Sequence, residues 1–198
     1  MKPEIHPLTP ERWGDFRKLF GARGACAGCW CMFWLLPGKQ YRDQRGDANR
    51  KAMHKLVETG TAPGLLAYVD GEPAGWCAIA PRVRYLRLAK SRVLKPVDEK
   101  PVWSVTCFFV AKSLRRCGLT VALLKAAAKF AKQNGAEILE GYPTETQKDQ
   151  ADVFVYTGLA SAFRKAGFKE IARRSPTRPI FRLLLGGARR SVLLGSRC

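Results

Sequence analysis

The sequence predicts a three-layer α+β domain, a mixed central sheet with helices packed on its faces. Three observations carry that prediction. Asp70-Gly71 separates the apolar runs Leu65–Val69 and Pro73–Ile79, the signature of a tight antiparallel hairpin. Val102 to Val110 is apolar almost without interruption, as a strand buried on both faces requires. Leu119 to Asn134 sets Leu119, Ala122, Leu123, Ala126, Ala127 and Phe130 on one helical face.

The remaining elements follow in chain order. Glu4-Ile5-His6-Pro7-Leu8 reads as a short first strand. Thr9-Pro10 then opens a helix, with Thr as N-cap and Pro at the first helical position. Trp13, Phe16 and Phe20 share a face of that helix, and Gly21 and Gly24 end it. A segment rich in cysteine and aromatic residues, Cys26 to Trp34, comes next. Asp47 to Glu58 is a second amphipathic helix, carrying Ala52 and Leu56 among charged neighbours. Residues 81–100 read as a basic loop. Asn134-Gly135 stops the long helix, and Glu137–Tyr142 is the next strand. Ala151–Lys165 contains a short helix closed by Gly167. Glu170–Ala172 and Pro179–Leu183 are the last two strands, on either side of Ser175-Pro176-Thr177.

Composition narrows the class of protein. At 198 residues, one domain over 1–185 is the natural size, with 186–198 as a basic tail. No apolar run approaches the ~18 residues of a membrane span, and the N-terminus has no apolar signal segment. Seven cysteines without an export signal point to reduced thiols in the cytoplasm. The net charge of +19 attracts anions, whether phosphates, nucleic acid or acidic proteins. From Arg164 to Cys198 ten Lys and Arg face one Glu, while Glu137 to Asp152 carries five acids and one Lys.

Arg115-Arg116-Cys117-Gly118-Leu119-Thr120 lies between the central strand and the long helix. Backbone N–H groups of such a loop and of the first helical turn have no internal partners, and the helix dipole adds partial positive charge. A strand, a basic glycine loop and a helix N-terminus make a place for a pyrophosphate. The layout resembles the acyl-CoA loop of the GNAT superfamily of N-acyltransferases. Phe163-Arg164-Lys165-Ala166-Gly167-Phe168 resembles the late helix-and-Gly-Phe turn of the same superfamily. The element order also agrees, and the resemblance spans residues 4 to about 185.

The resemblance implies acetyl-CoA as co-substrate and a small-molecule or peptide amine as acceptor, in a monomer or homodimer. Phe108, Phe109 and Val110 would lie along the pantetheine arm, and an N–H near Phe109 or Val110 would stabilise the oxyanion. Arg115 would stand at the first basic position, and the N–H groups of Arg116, Cys117, Gly118, Leu119 and Thr120 would cradle the pyrophosphate. Thr120 stands where the superfamily usually has Gly or Ala. The Tyr that many members use to protonate the CoA sulfur is here Phe163, which has no proton to give. Either Tyr156, Tyr142, Thr157 or water would then serve, with Tyr156 the leading acid if the late helix reaches back to it, or the thiolate would leave unassisted. Glu140, near the point where the central strands of this fold splay, is the candidate general base. Glu145, Asp149 and Asp152 would reach the acceptor side.

Cys26, Cys29 and Cys31 have a spacing that suggests metal, but no second Cys pair completes a zinc set. They read instead as thiols packed among Trp30, Phe33 and Trp34, or as a cover over the acceptor pocket. A nucleic-acid-binding module on the same scaffold is the competing reading, through Arg173, Arg174, Arg189 and Arg190.

Overall fold

The computed structural model describes residues 2–145 and 154–186. Seven strands form one sheet: β1 (Glu4–Pro7), β2 (Gly64–Val69), β3 (Glu72–Pro81), β4 (Trp103–Val110), β5 (Ile138–Gly141), β6 (Lys169–Arg173) and β7 (Pro179–Leu184). Their order is β1-β2-β3-β4-β5-β7-β6. Every pairing is antiparallel except β4 with β5. That one parallel pair needs a crossover, which α5 (Leu119–Gln133) supplies.

Alternation along the hairpin explains the layers. Leu65, Ala67, Cys77 and Ile79 face α5 and pack on Leu123, Leu124 and Ala127. Leu66, Trp76 and Ala78 face the other way, onto Phe16 and Phe20 of α1 (Trp13–Phe20) and Met53 and Val57 of α3 (Asp47–Glu58). The short α2 (Gly38–Asp43) and α4 (Leu86–Ala89) sit in the connections, and α6 (Ala160–Lys165) packs beside α5. Residues 81–100, expected as loop, hold α4 and a single 3₁₀ turn at Arg82–Arg84, anchored by buried Leu88 and Leu94.

Two local expectations change. Thr9 is extended at the helix entrance, but its hydroxyl caps no backbone N–H; it accepts from Arg12 Nη1 at 3.3 Å. The first turn is 3₁₀ before α1 begins at Trp13. The late helix starts only at Ala160, because Gly158 turns the chain at φ +86°. Tyr156 therefore lies in the preceding turn and not on the helix of Phe163. The expected basic tail lies outside the described residues from 187 onward, as do Arg189 and Arg190.

Candidate active site

The cleft opens where the two parallel strands part. β4 pairs with β5 only from Trp103↔Leu139 to Val105↔Gly141, and β4 then runs on alone to Val110. A bulge sits at the same place: Ala78 pairs with Cys107 and Ile79 with Val105, so Thr106 is the extra residue. The bulge lets Val105 and Phe108 share the α5 face, while Cys107 and Phe109 face α1. The Phe108 N–H points away from β3 and donates to the Tyr156 carbonyl at 2.6 Å. Strand alternation aims the Val110 N–H at the same open edge and the Phe109 N–H at β3. Of the expected oxyanion donors, Val110 thus has the right direction and Phe109 does not.

A cleft of about 1150 Å³ runs along this edge, from the Ala25–Cys31 segment to the start of α5. Phe108, Phe109, Val110, Arg115, Arg116, Gly118, Leu119 and Thr120 all line it. Cys117 does not; its exposed thiol turns to the Arg115 carbonyl at 3.5 Å.

At the α5 end the loop is built from backbone. Arg116 at φ +64° and Gly118 at φ +80° are both left-handed, so successive N–H groups turn toward one side. Helical bonding begins with Val121 and Ala122, which donate to the Gly118 carbonyl. The N–H groups of Arg116, Cys117, Gly118, Leu119 and Thr120 have no protein acceptor among the described residues. The φ of Gly118 disfavours any side chain, and a Cβ there would meet nothing within 4 Å, so open space lies before it. Lys112, Arg115, Arg116 and Lys165 add positive charge to the same end. Arg115 is held by Nε to the Val110 carbonyl at 3.2 Å. Free amides, an αL glycine and cations fit the diphosphate of a coenzyme A.

Glu140 corrects the expected base. Its side chain is fully buried and does not face the cleft. One oxygen accepts from Arg82 at 3.0 Å and from the Tyr142 hydroxyl at 2.6 Å, and the other from Arg182 at 2.7 Å. Arg182 continues bidentately to Asp98, and Arg82 to the Leu94 carbonyl at 2.7 Å. A carboxylate held between two guanidinium groups is a structural charge with no route to a substrate. Tyr142 belongs to the same network, bonded to Ser104 at 2.8 Å and to Arg82. Thr157 is also buried and engaged, accepting from Arg178 at 3.2 Å.

Phe163 is wholly buried, with Phe108, Phe168 and Phe181 at ring distances of 6.1, 5.1 and 6.1 Å. It fills the space over Gly141, where a Cβ would come within 2.1 Å of its ring. Tyr156 lines the cleft, edge-on to Phe33 at 6.0 Å, and its hydroxyl has no hydrogen-bond partner among the described residues. Burial raises its phenol above the ordinary tyrosine value, with a further push from Cys107 and an opposing pull from Arg178 and Arg87. Glu145 is taken by Arg164 at 2.6 Å and by Arg173, which hold its carboxyl below the usual range. Asp149 and Asp152 lie outside the described residues.

The cysteine segment walls the other side of the cleft. Ala25, Ala27, Trp30 and Cys31 all take positive φ, a strained run that the packing of Trp30 on Phe20 helps to hold. Cys31 accepts from Trp76 Nε1 at 3.1 Å, and Cys29 donates to the Gly24 carbonyl at 3.3 Å. Burial raises the thiols of Cys29 and Cys77. Among the described residues no group of three or more His, Cys, Asp or Glu side chains is placed to hold a metal ion.

A sheet splayed at a bulged strand, with a loop of unpartnered amides at the mouth of the splay, frames the cleft. The family model for the acetyltransferase (GNAT) family matches residues 30–156, and the chain belongs to that family. It is an N-acetyltransferase by membership. No curated protein matches its sequence. Solved structures share the fold at low identity. A GNAT-family acetyltransferase from Desulfovibrio desulfuricans has a TM-score of 0.53 at 17% identity, covering 93% of this chain and all of that one. PaiA N-acetyltransferase from Thermoplasma acidophilum, solved with coenzyme A, has 0.53 at 15%, covering 93% and 99%. A polyamine N-acetyltransferase from Drosophila melanogaster has 0.54 at 10%, covering 92% and 100%.

Proposed function

We propose that this protein transfers an acetyl group from acetyl-CoA to a primary amine by direct attack, forming an amide and free CoA thiol. The observation that carries the reading is the row of unpartnered N–H groups from Arg116 to Thr120 at the end of the cleft. Bound there, acetyl-CoA would supply an activated acyl carbonyl and a thiolate leaving group. The loop amides and Lys112, Arg115 and Arg116 hold the diphosphate. The Val110 N–H is aimed at the open edge, where it stabilises negative charge on the carbonyl oxygen. Tyr156, kept protonated by burial, gives its proton to the leaving sulfur. The proton lost by the amine goes to water, since no described carboxylate lines the cleft.

Six described cysteines are free thiols, which suits a reducing compartment such as the cytoplasm. No helix among the described residues is long and apolar enough to cross a membrane. The nucleic-acid reading loses ground: Arg173 is engaged by Glu145 and Glu170, and Arg174 by the carbonyls of Lys95 and Pro96.

Titration calorimetry with acetyl-CoA tests the assignment. Gly118→Glu puts a side chain and a negative charge where the phosphates would sit, at a φ that disfavours any Cβ. Binding falls on the order of 100-fold or more. Unchanged affinity in a variant with an intact melting transition would overturn the site.

A further inference from the structure

The cleft wall carries two thiols on one turn that acetyl transfer leaves unused. Cys26, Ala27, Gly28 and Cys29 close the turn, with the Cys29 N–H donating to the Cys26 carbonyl at 3.0 Å. Ala27, at φ 48° and ψ 39°, and Gly28, at φ 71°, fill the two central positions, both left-handed as in a type I′ turn. A β-turn keeps its first and fourth Cα atoms within about 7 Å, and a disulfide spans roughly 4.4–6.8 Å between Cα atoms. The backbone alone therefore brings the two cysteines to bridging range. Both line the cleft.

The turn is firmly held. The Gly28 N–H donates to the Arg23 carbonyl at 2.8 Å, and the Gly28 carbonyl accepts from the Gly46 N–H at 3.0 Å and from Asn49 Nδ2 at 3.1 Å. A Cβ on Gly28 would come within 2.3 Å of the Gly46 nitrogen, and one on Gly24 within 2.4 Å of the Trp30 ring. Ala25 and Ala27 take positive φ without being glycine. Such backbone is costly, persists only where the surroundings fix it, and clusters at sites of function.

The two thiols differ in a way that orders a reaction. Cys26 is exposed, whereas Cys29 is half-buried and gives its S–H to the Gly24 carbonyl at 3.3 Å. Burial raises the Cys29 thiol, so it stays protonated while Cys26 meets solvent first. Cys31 and Cys77 are buried, and Cys117 is exposed on the loop before α5.

We propose that Cys26 and Cys29 are a redox pair, joined by peroxide into a disulfide across the turn and parted again by a thiol reductant. The Cys26 thiolate attacks hydrogen peroxide and breaks its O–O bond; Cys26 becomes a sulfenic acid, and the departing hydroxide takes up the proton the thiol lost, giving water. The Cys29 sulfur then attacks the sulfenic sulfur, and its proton leaves with the hydroxyl as a second water. Two thiols and one peroxide give one disulfide and two waters; the sulfurs lose two electrons and the peroxide gains them. The new bond lies in the cleft wall and withdraws the Cys29 donor from the Gly24 carbonyl.

Peptide mapping tests the pair. The whole protein is treated with equimolar hydrogen peroxide, alkylated in denaturant, digested and fragmented. The expected product is a Cys26–Cys29 disulfide, reversed by dithiothreitol, with Cys31 of the same peptide and exposed Cys117 still alkylated. Cys29→Ser should stop the reaction at a Cys26 sulfenic acid that dimedone traps. Cys26→Ser should slow the reductant-reversible oxidation roughly tenfold or more. A first disulfide at any other pair, Cys117 or Cys198 included, overturns the proposal. So does oxidation of Cys117 ahead of Cys26, or an undiminished rate in Cys26→Ser. Melting curves check both variants, and the map of the unaltered protein decides the matter if either fails to fold.

Discussion

Two tyrosines of one hydrophobic cluster, Tyr142 and Tyr156, have the same chemistry and different surroundings. Tyr142 is fully buried, and its hydroxyl meets Glu140, Ser104 and Arg82. Tyr156 borders the cleft with its hydroxyl unengaged. Burial raises both phenols, so both stay protonated at neutral pH. Only one of those protons is available. A perturbed ionisation marks an environment, and the partners decide whether it serves structure or reaction.

The largest effect expected on the structural side comes from Glu140. Glu140→Ala leaves Arg82 and Arg182 facing one another in a dry interior, and only Arg182 keeps a second acid, Asp98. Removing one partner of a buried ion pair destabilises by about 3–5 kcal/mol. Denaturant titration should show a loss of that size. Acetyl-CoA affinity of the protein that remains folded should be unchanged; a selective loss of kcat with full stability would restore Glu140 as a base.

On the catalytic side, Tyr156→Phe should lower kcat on the order of 100-fold, the usual range of a lost general acid, with KM for acetyl-CoA and the melting temperature nearly unchanged. Tyr142→Phe should do the reverse, costing about 1–2 kcal/mol in denaturation with kcat intact. If the two variants behave alike, the contrast between them fails.

The strand, loop and helix start that border one end of the cleft were legible in sequence because they are contiguous, within Trp103 to Thr120. Glu140 was placed in the right strand and beside the cleft, whereas its carboxylate is buried between Arg82 and Arg182. It lies between Leu139 and Gly141 in a strand buried on both faces, where spacing alone does not tell which face opens to substrate. Tyr156 was offered as an acid on the condition that the late helix reach back to it; the helix begins only at Ala160, and Tyr156 borders the cleft from the turn before it.

Alkaline pH separates the tyrosines from ordinary surface phenols with a smaller effect. An unfolded phenol loses its proton near pH ~10. Tyr142 and Tyr156 hold theirs above that value in the fold. Between the two values the folded state binds more protons than the unfolded one, so stability is full below pH ~10 and falls as pH rises beyond it, on the order of 1 kcal/mol per pH unit for each group. Tyr142→Phe should flatten that decline in melting curves taken above pH ~10; an unaltered slope would show that Tyr142 is not held protonated by the fold.

The smallest effect is expected where a hydroxyl stands at a capping position without capping. A true N-cap threonine is worth about 1 kcal/mol, because its oxygen satisfies a backbone N–H of the first turn. Thr9 meets the side chains of Arg12, at 3.3 Å, and of Glu11, and no backbone N–H of the first turn. Exposed contacts of that kind contribute little. Thr9→Ala should therefore shift stability by less than about 0.5 kcal/mol, within the spread of ordinary surface substitutions. Thr9 and Tyr156 then share a rule with Tyr142 as its converse: a hydroxyl contributes to stability through the buried partner it satisfies, and one without such a partner is free for another use. A loss of a full kcal/mol at Thr9 would mean that its oxygen does reach the helix backbone in solution.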